Sequence, residues 1–337
     1  MTRLRSVTLD TLKNFETKLY SVNESSFEDI ALELFHFQAV HNPVYRDFLG
    51  NLSVDIKSIK QLNRIPLLPI RFFKTHDIKT GGWIPEVTFT SSGTTSSTIS
   101  RHPVRHLSFY LSHSQRTFEY FFGPLGDYHL LALLPSYLER QGSSLIAMID
   151  HFIKESESVY SAFYLHDVDQ LVERLDSLRR DDKRTLLWGV SFALLDLAEN
   201  HRMDLSHCFV FETGGMKGKR KEIIRHELHK VLSESFHLKN VFSEYGMTEL
   251  LSQAYTKGGT RFFCPPWMRV LARDLTDPLE RGLLNETGGI NVIDLANCHS
   301  VAFIETEDLG RVFDDGSFEV LGRADNSDVR GCSLLVE

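Results

Sequence analysis

Short apolar runs alternate with helical stretches in the middle of the chain, and this alternation is the feature that most restricts the fold. Four apolar runs have the length of buried strands, namely His129–Leu134, Thr185–Val190, Cys208–Glu212 and Asn240–Ser243. Each precedes a stretch of helical character, namely Leu145–Ile153, Ala193–Glu199, Lys221–Leu232 and Leu250–Tyr255. Such alternation is typical of parallel sheets with crossover helices. We therefore predict an α/β fold with parallel sheets and flanking helices.

The two ends of the chain carry different patterns. Apolar residues recur at a spacing of three to four between residues 7 and 50, which indicates helices. After residue 260 the pattern changes to short β-rich pieces, which are Met268–Leu271, Gly289–Asp294, Val301–Ile304 and Phe318–Leu321. We predict an N-terminal helical section (1–80), an α/β core (81–260) and a smaller C-terminal β-subdomain with a short tail (261–337).

Composition and charge exclude several classes of protein. The net charge of −8 argues against a nucleic-acid binder, which usually presents a basic face. No run approaches 18 apolar residues, so we expect no membrane-spanning helix. The four cysteines are widely spaced and include no CxxC pair, which favours a cytoplasmic location over a disulfide or zinc framework. The 24 phenylalanines suit either an aromatic core or an apolar substrate pocket.

A run rich in hydroxyl groups, Phe89-Thr90-Ser91-Ser92-Gly93-Thr94-Thr95-Ser96-Ser97, follows an apolar, β-rich stretch. Glycine allows the backbone to turn its N–H groups inward, and successive inward N–H groups form a nest for anions. A polyphosphate is the ligand that suits such a nest best. The run is not a Walker A loop, because no Gly-Lys-Ser/Thr follows. A solvated turn would have the same composition, so the run alone leaves both interpretations open.

Further polar loops follow predicted strands, at the positions where parallel sheets bind their ligands. They are Thr213-Gly214-Gly215-Met216-Lys217-Gly218, Ser243-Glu244-Tyr245-Gly246-Met247-Thr248-Glu249, Thr306-Glu307-Asp308-Leu309-Gly310 and Leu321-Gly322-Arg323-Ala324-Asp325.

The order of these loops resembles the adenylate-forming superfamily of acyl-CoA synthetases, phenylacetate-CoA ligases and luciferases. A narrower resemblance is to the acyl-protein synthetase family, also called the long-chain-fatty-acid luciferin-component ligases. It is carried by Thr90–Thr95, Leu134–Arg140 with Gly142-Ser143-Ser144, Thr213–Lys217 and Arg330-Gly331-Cys332-Ser333-Leu334. The resemblance runs from about residue 25 to the C-terminus. It implies a fold like the large N-terminal part of adenylate-forming enzymes, with the C-terminal lid domain absent.

The resemblance also implies a reaction, in which a carboxylate attacks the α-phosphorus of ATP to give acyl-AMP and pyrophosphate. The nest formed by Ser91, Ser92, Gly93, Thr94 and Thr95 would hold the β- and γ-phosphates. Glu249 would bind Mg²⁺, which prefers carboxylate and phosphate oxygens. Thr248 would contact the α-phosphate.

The remaining implied contacts concern the nucleoside and the acyl group. Tyr245, with Gly246 in the same motif, would pack against the adenine. Gly214 and Gly215 would allow close approach of the backbone to the adenine and the acyl group. Asp308 would accept hydrogen bonds from the ribose, and Arg323 would donate to ribose or phosphate oxygens.

The sequence departs from the wider superfamily in two places. Ser96-Ser97-Thr98 replaces the usual Gly-x-Pro-Lys after Thr95, so Arg101 or His102 would have to supply charge there. No counterpart of the lid lysine follows the Gly-Arg-x-Asp motif, and Lys217 and Arg140 are candidates to replace it. The resemblance implies that Cys332 accepts the acyl group as a thioester, since a thiolate is a strong nucleophile.

The sequence therefore predicts ATP-dependent activation of a carboxylic acid, most simply a fatty acid, followed by transfer to Cys332 and delivery to an acyl reductase or carrier protein. The cofactors would be ATP and Mg²⁺, and the reacting residues Cys332, Glu249 and Thr248. Two alternatives stay open: a ligase that uses coenzyme A or another diffusible thiol, and a non-catalytic subunit that binds a nucleotide or an acyl group.

Overall fold

The computed structural model describes residues 2–91, 99–134, 142–164, 167–214, 223–276 and 281–323. The helices in these ranges are α1 (Thr2–Leu19), α2 (Phe27–His41), α3 (Pro43–Asn51), α4 (Phe72–Thr75), α5 (Leu107–Phe122), α6 (Ser144–Glu155), α7 (Val168–Ser177), α8 (Ser191–Asn200) and α9 (Arg225–Phe236). The strands are β1 (Leu68–Pro69), β2 (Val87–Thr90), β3 (Arg101–Val104), β4 (Tyr128–Leu133), β5 (Ala162–Phe163), β6 (Arg184–Val190), β7 (Cys208–Thr213), β8 (Val241–Tyr245), β9 (Ala254–Thr256), β10 (Phe262–Phe263), β11 (Met268–Arg273), β12 (Arg281–Leu283), β13 (Thr287–Asp294), β14 (Phe303–Val312) and β15 (Phe318–Arg323).

One mixed sheet of 13 strands runs through the described part of the chain. Its order is β12-β11-β13-β14-β15-β10-β9-β8-β7-β6-β4-β5, and β1 pairs in parallel with β14 off this path. Strands β5, β4, β6, β7 and β8 are parallel neighbours joined by helices, as the alternation predicts. Strand β4 is buried along its whole length, and only Arg184 is exposed in β6, as expected for a parallel sheet covered on both faces. The predicted α/β fold is confirmed.

The β-rich pieces after residue 260 are strands of the same sheet. Strand β9 pairs antiparallel with β8 and links the parallel half to β10, β15, β14, β13, β11 and β12. The predicted pieces correspond to β11, β13, β14 and β15, and the turn between the last two contains Asp314-Asp315-Gly316. The division into three sections at residues 80 and 260 stays a prediction.

The helix predicted at Leu250–Tyr255 is wrong. The backbone N–H groups of Leu251 and Ser252 both donate to Asp294 Oδ2, each over 2.9 Å. The Ser252 hydroxyl donates to Oδ1 of the same carboxylate over 2.6 Å. These bonds hold an irregular buried turn, after which the chain returns as β9. The apolar residues at helical spacing pack in this turn and not on one face of a helix.

The helix predicted at Lys221–Leu232 has different bounds. It begins at Arg225 and ends at Phe236, because Ile223 and Ile224 are not helical and the pattern continues for one further turn.

A buried glutamine on α2 holds the 3₁₀ turn Leu295–His299 that follows β13. Gln38 Nε2 lies 3.0 Å from Asn297 O and 3.1 Å from Cys298 O. Its Oε1 accepts from the backbone N–H of Ala302 over 3.0 Å. One side chain therefore satisfies backbone groups on both sides of a turn that has no strand partner of its own.

Aromatic side chains fill the space between α5 and the sheet. Phe118 on α5 contacts Trp188 on β6 and Phe211 on β7, with ring centroids 6.2 and 6.0 Å away. Trp188 and Phe211 are stacked at 4.9 Å and 10°. Much of the phenylalanine content therefore belongs to the core. No helix in the described ranges is long and apolar enough to cross a membrane.

We predict that Gln38→Leu lowers the free energy of unfolding by about 2–4 kcal/mol, because it leaves the buried Ala302 N–H and the buried Cys298 carbonyl without a hydrogen-bond partner. Urea denaturation of the variant and of the exposed control Gln170→Leu measures this. Equal midpoints for the two variants would contradict the role assigned to Gln38.

Candidate active site

Several of the polar segments predicted from the sequence lie at the carboxyl edge of the parallel strands. The prediction of loops at Thr306–Gly310 and Leu321–Arg323 is wrong, because these residues lie within β14 and β15. Thr213 ends β7, Tyr245 ends β8, and the register pairs Thr213 with Glu244. Ser91 follows β2, and the backbone N–H of its neighbour Thr90 donates to Gly142 O over 2.8 Å. Residues from distant parts of the chain therefore converge at the sheet edge where parallel sheets bind ligands.

Ser91, near the start of the hydroxyl-rich run, is hydrogen-bonded to Ser100, which follows the run, and Ser100 interacts with Glu249. The Ser91 N–H donates to Ser100 O over 3.1 Å, and the Ser100 N–H donates to Ser91 Oγ over 3.0 Å. The Ser100 hydroxyl in turn hydrogen-bonds the Glu249 carboxyl. Ser92, Gly93, Thr94 and Thr95 lie outside the described residues. The base of the predicted phosphate nest is thus adjacent to the predicted metal ligand.

Glu249 is a buried carboxyl, 5% exposed. Burial raises its pKa, and the hydrogen bond from Ser100 and the positive charges of Arg323 and Lys74 partly oppose this. None of the ion pairs found among the described residues involves Glu249. A carboxylate in this state would be stabilised by a cation brought in with a ligand.

The backbone on either side of Glu249 is held by two side chains. His102 Nδ1–H donates to Thr248 O over 2.8 Å, and Asn297 Nδ2 donates to Glu249 O over 2.9 Å. Burial lowers the pKa of His102 to about 4, so its ring is neutral at pH 7. His102 therefore positions this loop and does not supply the positive charge expected of it from the sequence.

The residues present fit Mg²⁺ held together with a phosphate ligand. No group of three His, Cys, Asp or Glu side chains that could hold a metal occurs in the described ranges. Mg²⁺ is commonly bound through one or two carboxylates plus substrate phosphates. The single carboxyl of Glu249, beside the base of an anion nest, matches that mode.

Tyr245, Asp308 and Arg323, which the sequence also predicts to be site residues, are joined by hydrogen bonds. The Tyr245 hydroxyl donates to Asp308 Oδ2 over 2.8 Å, and Arg323 Nε donates to Asp308 Oδ1 over 3.2 Å. Asp308 on β14 is opposite Arg323 on β15 in the antiparallel register. The Tyr245 ring is 7% exposed and contacts Phe262 and Phe318 edge to edge or tilted, so most of it packs in the core.

Two glycines are required by the local geometry. A Cβ at Gly246 would lie 2.1 Å from Glu244 Oε1, so any larger residue there would displace the Glu244 carboxyl. Gly214 has φ of +71° at the end of β7, and its carbonyl lies 3.0 Å from the Ser191 hydroxyl. Gly215, Lys217, Arg140 and Cys332 lie outside the described residues, so their predicted roles stay predictions.

Sequence reasoning missed a buried network next to this edge. Glu212 on β7 forms an ion pair with Arg225, Nε to Oε1 over 2.9 Å. Burial raises the Glu212 pKa, but hydrogen bonding to His229 and the Arg225 charge outweigh it and bring the pKa to about 2. His229 Nε2 also lies 3.0 Å from Ser243 Oγ. The sequence signal that could have revealed this network is Glu212 itself, an acidic residue inside an otherwise apolar strand.

Glu244, next to Tyr245 in β8, is a second missed residue. Burial raises its pKa to about 7, although the Thr213 hydroxyl donates to Oε2 and opposes the shift. The negative charge of Glu212 adds to the rise. The carboxyl therefore changes its protonation near neutral pH, within the core of the site.

The three described cysteines are poor nucleophiles. Burial raises the pKa of the Cys208 and Cys264 thiols to about 12, and it raises that of Cys298 as well. All three are free thiols. Because the thiolate is the reactive form, none of them is suited to accept an acyl group at neutral pH.

Comparison of the sequence with family models and with curated proteins gave no match. Solved structures are similar to this fold. They include ATP-bound MatB from Rhodopseudomonas palustris, which is 18% identical in sequence. The match covers 70% of this chain and 47% of the MatB chain, with a TM-score of 0.51. A 2-hydroxyisobutyryl-CoA ligase in complex with 2-HIB-AMP and CoA is 14% identical in sequence. The match covers 90% of this chain and 69% of the ligase chain, with a TM-score of 0.65.

A long-chain-fatty-acid-CoA ligase (FadD1) from Archaeoglobus fulgidus is also similar and is 14% identical in sequence. The match covers 70% of this chain and 51% of the FadD1 chain, with a TM-score of 0.51. The chain spans about half the length of MatB and FadD1. At these identities the likeness shows the fold alone. The predicted fold, like the large N-terminal part of adenylate-forming enzymes, is confirmed.

We predict that Glu244→Gln stabilises the protein at pH 8 and leaves its stability nearly unchanged at pH 4.5. The wild-type pKa is raised from 4.5 to about 7, so folding loses stability as pH rises through this interval. Glutamine stays neutral and can still accept from Thr213. The difference in the free energy of unfolding between the variant and wild type should grow to about 3 kcal/mol, at roughly 1.4 kcal/mol per pH unit between the two pKa values.

Thermal denaturation across pH 4.5–8 measures this difference, with the exposed Glu234→Gln on α9 as control. A difference from wild type that does not change with pH would contradict the shifted pKa.

Proposed function

We propose that this chain activates a carboxylic acid with ATP to give an acyl-adenylate, and that the acid is a fatty acid. One observation carries the proposal: Arg323 binds Asp308, and its charge also acts on Glu249, beside the base of the hydroxyl-rich run. We infer from this that Glu249, this run and the Tyr245–Asp308–Arg323 set belong to one site. The similar ligase structures support the same chemistry, since one of them holds 2-HIB-AMP.

In the proposed reaction a carboxylate oxygen of the acid attacks the α-phosphorus of ATP. The new P–O bond forms as the bond to the β-phosphate breaks, and pyrophosphate leaves with the displaced electron pair. Bound Mg²⁺ would neutralise charge on the phosphates. The chain itself would position the reactants: Asp308 accepts from the ribose, Thr248 contacts the α-phosphate, and the Ser91–Thr95 run donates to the β- and γ-phosphates.

We further propose that the acyl group passes to Cys332. The Cys332 thiolate would attack the carbonyl carbon of the acyl-adenylate, and AMP would leave with the electron pair of the broken C–O bond. The resemblance of the C-terminal residues to acyl-protein synthetases supports this step. The raised thiol pKa values of Cys208, Cys264 and Cys298 support it too, because they leave Cys332 as the better nucleophile. An acyl reductase or carrier protein would then take the acyl group.

Covalent labelling tests both steps. Wild type, Cys332→Ser and the control Cys264→Ser are incubated with Mg-ATP and radiolabelled fatty acids of different chain lengths, without coenzyme A. We expect an ATP-dependent, hydroxylamine-labile label on wild type and on the control, and none on Cys332→Ser. Release of pyrophosphate is followed in the same samples and should occur in all three.

The other outcomes separate the alternatives. Pyrophosphate release without a label, together with acyl-CoA formation when coenzyme A is added, would favour a ligase that uses a diffusible thiol. The samples with coenzyme A are included because the similar 2-hydroxyisobutyryl-CoA ligase structure contains CoA. ATP binding without pyrophosphate release from any acid would favour a non-catalytic binding subunit.

A further inference from the structure

A short basic segment that includes α4 lies beside β14 and β3. The segment is Arg71-Phe72-Phe73-Lys74-Thr75-His76, and it follows β1 directly. The backbone N–H of Ile70 donates to Glu305 O over 2.8 Å, so the chain leaves its pairing with β14 at Glu305, within the strand that also carries Asp308. This places the start of α4 beside that strand.

The other end of α4 is anchored to the Glu249 loop. The Phe73 ring meets the His102 ring edge-on, with centroids 5.4 Å apart. His102 donates to Thr248 O over 2.8 Å, as described above. Through this pair, α4 packs against the residue that precedes Glu249.

Two cavities open along the basic segment. An open cleft of about 360 Å³ is lined by Arg71, Phe72, Lys74, Thr75 and His76. A smaller cavity of about 90 Å³ shares Arg71 and extends to Arg273 and to Glu305, Thr306 and Glu307 on β14. Arg71 therefore lines both the open cleft and the smaller cavity on the strand that carries Asp308.

Lys74 lines the open cleft. None of the ion pairs or side-chain hydrogen bonds in the described ranges uses its Nζ, although its side chain is partly buried. Its charge lowers the pKa of Glu249, so the two groups are close enough to interact. An ammonium group in an open cleft can pair with an anionic ligand that enters it.

We propose that Lys74 binds the β- and γ-phosphates of ATP and the pyrophosphate that leaves. This inference rests on the proposed function, and it assigns a positive charge to a phosphate site whose hydroxyl-rich run, Phe89–Ser97, contains no lysine or arginine. A triphosphate carries more negative charge than one Mg²⁺ neutralises, and lysine is a common phosphate ligand. Arg71 at the mouth of the cleft adds a second positive charge.

The inference is tested by equilibrium binding without any acid substrate. Isothermal titration calorimetry measures Mg-ATP, Mg-pyrophosphate and AMP binding to wild type, Lys74→Met and Lys74→Arg. The control is Lys57→Met, an exposed lysine between α3 and β1. Methionine keeps the apolar stem of Lys74 and removes the charge, so the fold should be retained; thermal denaturation of each variant verifies this.

We expect Lys74→Met to bind Mg-ATP and Mg-pyrophosphate about 10-fold more weakly than wild type, as for the loss of one charged hydrogen bond. Its affinity for AMP should be unchanged, because AMP lacks the β- and γ-phosphates. Lys74→Arg should recover most of the affinity, and Lys57→Met should match wild type.

Two results would overturn the inference. Unchanged affinity for Mg-ATP in Lys74→Met would remove Lys74 from the phosphate site. An equal loss for ATP and AMP would show that the variant disturbs the whole site and that Lys74 has a structural role. Failure of wild type to release pyrophosphate with any acid would overturn the proposed function instead, and the binding comparison would still decide whether Lys74 contacts phosphate.

Discussion

The buried carboxylate of Asp294 is the interaction on which the candidate site depends. It accepts from the Leu251 and Ser252 N–H groups, from the Ser252 hydroxyl and from the Ala296 N–H. The loop between β8 and β9, which carries Thr248 and Glu249, is neither helix nor strand, so its backbone groups need side-chain partners. Asp294 holds the end of this loop and, through the 3₁₀ turn that follows β13, places Asn297 against its middle.

Charge in the site is arranged so that a ligand would complete it. Asp308 already has Arg323 and Tyr245 as partners, and Glu212 has Arg225. Glu249 and Lys74 interact only through their charges, and each would gain from a bound Mg-nucleotide: the carboxylate from the cation, the ammonium from the phosphates. This division between completed and open charges fits the proposal that this sheet edge is stable without a ligand and binds a charged one.

The sequence predicted the parallel half of the sheet well, because period and composition of β4, β6, β7 and β8 are strong local signals. It also predicted that Glu249, Asp308 and Arg323 share a site, although this came from the resemblance. It failed at Leu250–Tyr255, where bonds to Asp294, 42 residues away from Ser252, override a helical spacing. It also missed Glu244, since the protonation of this residue depends on burial and on contacts between distant segments, which no local pattern encodes.

The most direct test of the account is acid-dependent exchange of radiolabelled pyrophosphate into ATP by wild type and Glu249→Gln. Exchange requires that the chain form an acyl-adenylate reversibly, and it does not depend on which thiol accepts the acyl group. The account predicts exchange by wild type with at least one fatty acid, and a loss of about 100-fold or more in Glu249→Gln, as for removal of a group that stabilises transition-state charge. Equal exchange by both proteins, or no exchange by wild type with any acid, would contradict it.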